Sequence, residues 1–123
     1  MRKIILDPYP RNKEEIFVAS SLKTLNSKYK VIEFDGSDRQ DFYNMHIEEV
    51  SYIIGQPKLD EELLIKAKNL KVVFNVEGNF LPNIDYQTCH RKGIKILTPS
   101  SVFALPVAEL AIGMMISLAR GIH

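Results

Sequence analysis

The chain has 123 residues, of which 46% are hydrophobic and 25% charged, and a formal net charge of +1. These values exclude a disordered or fibrous polymer and describe one soluble globular domain, able to bury roughly two thirds of its unfolded surface without disulfide or metal support. Near-balanced charge without a basic cluster argues against nucleic-acid and anionic-membrane partners. The lone Cys89 suits a reducing compartment, and the brief apolar run in residues 1–8, halted by Asp7 and Pro8, is no signal-peptide core, so the cytoplasm is the expected location.

Strand-length apolar runs alternate with segments of helical period, the pattern of β-α-β units in a parallel sheet. Residues 3–6 read as the first strand, stopped by Asp7-Pro8-Tyr9-Pro10. A helix is predicted over 13–25, where Val18, Leu22 and Leu25 recur at helical spacing and Glu14 and Glu15 sit in the first turn. Residues 31–34 read as strand two, Asp35-Gly36-Ser37-Asp38 as a turn, and 41–49 as a short irregular helix. Strand three spans 51–54 and ends at Gly55-Gln56-Pro57. Asp60 then caps a helix with Leu63, Leu64, Ala67 and Leu70 on one face, and 71–76 is the most strand-like run of the chain. A loop over 77–83, a helix over 85–92 closed by Gly93 and a fifth strand over 94–97 complete the pattern. Residues 1–100 therefore read as a flavodoxin-like α/β unit, a parallel sheet of about five strands with flanking helices.

Residues 101–123 behave differently. Pro106 reads as a helix start, and the thirteen residues 107–119 are apolar except for Glu109 and Ser117. Glu109 then falls in a first turn, where the helix dipole favours a carboxylate. A helix apolar on every side needs cover on every side, and a five-strand half-domain covers only one. The run is shorter than the roughly twenty residues that span a bilayer, so the expected cover is protein: a second copy of the chain or a further domain.

Few side chains form a reactive set. Cys89 and His90 are adjacent on a helix, point in divergent directions and do not share a proton. Asp35, Asp38 and Asp41 lack the glycine and terminal glutamate of a calcium loop, and no metal site is read. Asp7 and Asp35 stand at strand ends, as a phospho-accepting aspartate of a receiver-type signalling domain would, but no lysine is suitably placed near the last strand.

The succession Asn69-Leu70-Lys71-Val72-Val73, Gly78, Asn83-Ile84-Asp85, Lys92-Gly93-Ile94 and Val107-Ala108-Glu109, ending in Leu118-Ala119-Arg120, resembles the amino-terminal region of D-isomer-specific 2-hydroxyacid dehydrogenases, most clearly from Tyr52 to Arg120. The resemblance implies an NAD- or NADP-dependent oxidoreductase that interconverts a D-2-hydroxy acid and a 2-oxo acid. Hydride would pass in the cleft between a flavodoxin-like substrate domain and a Rossmann cofactor domain, with residues 101–123 as hinge and linking helix. No two of Gly36, Gly55, Gly78, Gly93, Gly113 and Gly121 stand close enough for the Gly-x-Gly-x-x-Gly turn that approaches a pyrophosphate. His46, His90 and His123 match no catalytic motif of the family. Neither catalytic residues nor cofactor binding is therefore expected of this chain alone.

The family holds the substrate carboxylate on backbone amides of a glycine-rich loop, which implies Val76, Glu77, Gly78 and Asn79 as substrate-binding positions. Phe80 and Pro82 depart from the family pattern, where a second glycine and an aspartate are usual. The Glu77 side chain is expected to point away from an anionic substrate or to select a hydroxyl or amine group. Gln56, at the carboxyl end of strand three, is a further substrate-contact candidate. Phe103 to Val107 would line the nicotinamide end of the cleft, with Val107 as the cofactor-side candidate, and the helix of 107–119 would join two copies in a homodimer. The alternative is a non-enzymatic flavodoxin-like module that binds or dimerises through the same helix.

Overall fold

Apolar alternation along short β-branched runs produces five strands in the computed structural model, which describes residues 1–122. They are β1 (Lys3–Asp7), β2 (Lys30–Glu33), β3 (Val50–Gly55), β4 (Val72–Asn75) and β5 (Lys95–Leu97), all parallel, in the order β2-β1-β3-β4-β5. This is the flavodoxin-like order, in which the direction of progression reverses between β1 and β3 and ligands gather outside the carboxyl ends of the strands. His123 lies outside the described residues.

Strand register assigns side chains to the two faces of the sheet. Ile5, Ile53 and Val73 are successive cross-strand partners, all fully buried. Onto that face pack Phe42 and Tyr43 of α3 (Arg39–His46), Leu63 and Leu64 of α4 (Glu61–Lys66), and Cys89 of α5 (Tyr86–Arg91). The opposite row runs Leu6, Ile54, Phe74, Leu97, and its cover thins across the sheet: Leu6 is buried, whereas Phe74 is 38% and Leu97 47% exposed. On this side the first helical segments are α1 (Lys13–Ile16) and α2 (Ala19–Lys28), and α2 packs at β2. The β4–β5 end of the sheet is left apolar and open.

Two helices differ from expectation. The single helix expected over 13–25 is broken, because Phe17 and Val18 take extended dihedrals and close one turn before opening the next. Ile16-Phe17-Val18 is a run with stronger strand than helix preference, and the break turns Ile16 and Phe17 inward toward a cleft. Val18 is correspondingly exposed and carries no core contact. The last helix, α6 (Ser100–Arg120), starts six residues before Pro106 rather than at it. Proline in a helix interior removes one hydrogen bond, here the one that would go to the Val102 carbonyl, and Val102 is exposed, so solvent satisfies that oxygen. Glu109 consequently sits in the third turn rather than the first, where the dipole argument no longer holds. No residue of α6 is buried, although the helix has 21 residues and an 18-residue window of it has a mean hydropathy of 2.0, long and apolar enough by length and composition to cross a bilayer. The helix stops at Gly121 in left-handed geometry, with Gly121 N–H donating to Leu118 O and Ile122 N–H to Ser117 O.

Capping explains the remaining ends. Asp60 accepts the Leu63 amide at 2.9 Å and so starts α4 as expected. α4 stops at Lys66, short of Leu70, and the Lys92 ammonium donates to the carbonyls of Leu64, Ile65 and Ala67 at its end. Gly93 follows in left-handed geometry and returns the chain to β5.

The tightest backbone contact lies at the reversal point. A Cβ at Gly55 would collide with the Asp7 carbonyl oxygen of the neighbouring strand. Backbone does not yield as a side chain does, so Gly55→Ala is expected to cost about 3 kcal/mol, the upper end for overpacking. Urea denaturation of the two proteins checks this, and an unchanged midpoint would show that β1 and β3 can part freely.

Candidate functional site

The carboxyl ends of the strands frame a cavity of about 950 Å³. Arg11 reaches it from the loop after β1, Ile54 from β3, Asn75 to Gly78 from the end of β4, and Leu97 to Pro99 from the end of β5. Ile16 and Phe17, turned inward by the break between α1 and α2, and Phe103 of α6 close its sides. No histidine, cysteine or lysine is among these lining residues. The arrangement is suited to holding a small molecule rather than to moving its protons.

The predicted substrate positions separate here. Val76, Glu77 and Gly78 line the cavity. Asn79 follows them outside the lining and carries a positive φ of 106°, a conformation costly for a residue with a Cβ and most often seen where a loop is held for a purpose. Gly78 does not need to be glycine on steric grounds, since a Cβ there would meet only Ser100 Oγ at 3.8 Å. Gln56 is half-buried behind the lining, and its Oε1 accepts the Glu77 backbone N–H at 3.2 Å. Val107 lies one turn beyond Phe103, 62% exposed and outside the cavity.

Of the two courses expected for Glu77, the side chain does not take the first, pointing away. Its side chain stays at the cavity and accepts a hydrogen bond from Arg11 Nε at 3.0 Å. The hydrogen bond and the charge of Glu77 both raise the Arg11 pKa. The Glu77 carboxylate is thereby charge-compensated where it meets the cavity. Sequence reasoning had no signal for Arg11, which sits in a loop without motif or period and meets Glu77 only through the fold.

Behind the loop lies a buried polar layer. Among the described residues, the Nδ2 and Oδ1 of Asn75, the Nε2 of Gln56 and the Oδ1 of Asn83 are buried without a hydrogen-bond partner, and Asn75 is 3% exposed. Burial raises the pKa of nearby Tyr86 while the Asn75 amide opposes the shift, but the Tyr86 hydroxyl donates to the Leu81 carbonyl. Such orphaned groups are uncommon in folded proteins and concentrate where a ligand or water is received. A polar residue closing the strand run Val72-Val73-Phe74-Asn75 was the one sequence sign of this layer. The loop is pinned beyond it by Asn83-Ile84-Asp85. Asn83 Nδ2 donates to Pro57 O at 2.7 Å, Ile84 is buried, and Asp85 accepts the Thr88 amide at 3.1 Å to start α5. Hydrogen bonds from Thr88 hold the Asp85 carboxyl below its usual pKa.

A second charged group braces the same edge. Asp7, 1% exposed, accepts Arg39 Nε at 2.9 Å and Nη2 at 2.8 Å, and the Tyr43 hydroxyl at 3.1 Å. The Arg39 guanidinium lies 4.8 Å from the Tyr9 ring centroid and 4.6 Å from that of Phe34. Cys89 is buried, and desolvation pushes its thiol up to about 11, so it is no nucleophile at neutral pH. Among the described residues no group of three or more His, Cys, Asp or Glu side chains is placed to hold a metal ion.

No protein-family profile matches the chain. Over 65 residues it is 42% identical to the hydroxypyruvate reductase of Thermotoga maritima, covering 53% of this chain and 21% of that protein. It is 34% identical over 65 residues to the D-3-phosphoglycerate dehydrogenase of Methanocaldococcus jannaschii, covering 53% of this chain and 12% of that protein. Among solved structures, a phosphoglycerate oxidoreductase from Rhizobium etli is 37% identical with a TM-score of 0.80, covering 99% of this chain and 38% of its own. The chain thus corresponds to well under half the length of each of these proteins.

The Asp7 cluster makes a measurable statement about alkaline pH. Burial, and then the negative charge of Asp7, raise the Tyr43 pKa well above the ordinary value. Below pH about 10 the folded and unfolded chains both keep the phenolic proton and the contribution is whole. Above it the unfolded chain releases its proton first, so stability falls as pH rises. Cys89 adds a loss of the same sign from a lower pH. Tyr43→Phe is expected to cost about 2 kcal/mol at neutral pH through the lost bond to Asp7 and to make the decline above pH about 10 shallower. Denaturation midpoints from neutral to alkaline pH check this, and parallel curves for the two proteins would refute the assignment.

Proposed function

With D-isomer-specific 2-hydroxyacid dehydrogenases as its homologues and structural neighbours, this chain, we propose, forms the substrate side of a site that interconverts a D-2-hydroxy acid and a 2-oxo acid by NAD- or NADP-dependent hydride transfer. The observation that carries the reading is the loop from Val76 to Asn79, held over the cavity at the carboxyl end of β4. Its Val76 and Glu77 amides are taken by the Gly55 carbonyl and by Gln56, which leaves those of Gly78 and Asn79 as fixed donors to a substrate carboxylate that add no charge. Gln56 belongs to the same site, because its side chain accepts the Glu77 amide and so holds the loop in place. Phe103 to Val107 form the side toward which the nicotinamide would approach.

The dinucleotide and the acid-base groups come, in this reading, from residues other than these 123, since the sequence holds no Gly-x-Gly-x-x-Gly turn and the two carboxylates lining the cavity, Glu15 and Glu77, are engaged by the Asn12 amide and by Arg11. The hydroxypyruvate reductase and phosphoglycerate dehydrogenase named among its relatives point to small three-carbon acids. A cytoplasmic location fits such substrates. The uncovered apolar surface of α6 from Val107 to Ala119 favours assembly, with a second copy or with a cofactor domain.

Two measurements test these statements. The product of the complete gene is expected to oxidise NADH or NADPH with small 2-oxo acids, whereas the 123 residues alone are expected to show neither turnover nor dinucleotide binding by calorimetry. Tight binding by the 123 residues would sink the division of labour proposed here. In sedimentation without detergent the chain is expected to self-associate and Met115→Lys to weaken that association; a monomer in both cases would remove α6 as the interface.

A further inference from the structure

Building on the reading of this cavity as a 2-hydroxy-acid site, we propose that the Glu77–Arg11 ion pair selects the substrate class: acids whose distal group is uncharged, with phosphorylated and dicarboxylic analogues turned away. Three charged side chains line the cavity, Arg11, Glu15 and Glu77. Glu15 is committed to the start of α1, where its Oε2 accepts the Asn12 backbone N–H at 2.7 Å. Arg11, the one cation among these lining residues, gives its Nε to Glu77 Oε1 at 3.0 Å. The substrate carboxylate is met by loop amides, so a first negative charge needs no cation. A second would find the charge of Arg11 offset by Glu77 and a carboxylate next to it. The remaining wall, with Phe17, Ile54, Phe74, Leu97 and Phe103, supplies no counter-charge and suits a neutral substituent. Discrimination of this kind rests on a repulsive element as much as on attraction.

Glu77 is only partly exposed at 31%, Arg11 more so at 56%, and both belong to loops, so neither is needed for the core. The experiment is steady-state kinetics of the complete gene product with hydroxypyruvate and with its 3-phosphate ester. The unmodified protein is expected to favour hydroxypyruvate, whose distal hydroxyl is neutral, in kcat/KM by at least about tenfold, and Glu77→Gln, which releases the guanidinium, to shift that ratio toward the ester by about tenfold. Adding Arg11→Gln is expected to remove most of that shift, because the freed guanidinium is what receives the phosphate. A preference of the unmodified protein for the ester, a shift under about threefold in Glu77→Gln, or a full shift retained in the double variant would each overturn the proposal. Turnover of neither compound would instead defeat the dehydrogenase reading itself, and this inference with it.

Discussion

The approach of Gly55 to the Asp7 carbonyl is the contact on which the carboxyl edge depends. It brings β1 and β3 together at the point where the strand order reverses, and two circuits leave from it. Through its carboxylate, Asp7 holds Arg39 and Tyr43 and so fixes the start of α3. Through Gly55, the chain passes to Gln56, whose side chain takes the Glu77 amide, while the Gly55 carbonyl accepts the Val76 amide at 3.2 Å. Glu77 then returns to the β1 loop by way of Arg11. Three loops from three strands are thereby tied in a ring, and the cavity is the space the ring encloses.

The segments that carry the family resemblance serve this architecture more than chemistry. Asn83 and Asp85 anchor the far end of the loop, Asn69 Nδ2 donates to the Glu48 carbonyl at 2.8 Å, and Lys92 with Gly93 ends one helix and opens the last strand. These tasks demand particular side chains at particular backbone positions, which is why they are visible as motifs. A loop that works through its backbone, as proposed for Val76 to Asn79, leaves little trace in residue identity. The departures at Phe80 and Pro82 fit that division. The Phe80 ring stacks edge-on against Tyr86 with centroids 5.7 Å apart, so the altered segment is held by packing instead of by a glycine turn.

Legibility in the sequence follows the same line. Strand positions, the cap at Asp60 and the left-handed Gly93 were readable because each rests on a local rule. The break at Phe17 was hidden by a helical spacing of Val18, Leu22 and Leu25 that is real in the sequence but is not used to build the core, where Val18 is exposed and neither leucine is fully buried. Pro106 misled for the converse reason: the rule that places proline at a helix start is statistical, and an exposed carbonyl at Val102 allows the exception. Arg11 could not be read at all, since it meets Glu77 across 66 residues of chain. Sequence pattern reports what a residue does for its own element, and the cavity is made by contacts between elements.

The bare surface of α6 follows from the same sheet. Its 21 residues extend about 31 Å, enough for a bilayer by length. Glu109, however, is the tenth of them and would lie near the midplane, at a cost of about 2.5–3.5 kcal/mol. Protein cover carries no such penalty. Ten large apolar side chains of α6 are more than half exposed, and burying all of them would release roughly 15–30 kcal/mol, more than the roughly 4–15 kcal/mol that association costs. Phe103 joins this helix to the exposed Phe74 and Leu97 in one cavity wall, so apolar surface is continuous from the open end of the sheet to α6. Cover over the helix would then also help to close the cleft that holds Glu77 and Arg11, raising the strength of every charge interaction inside it.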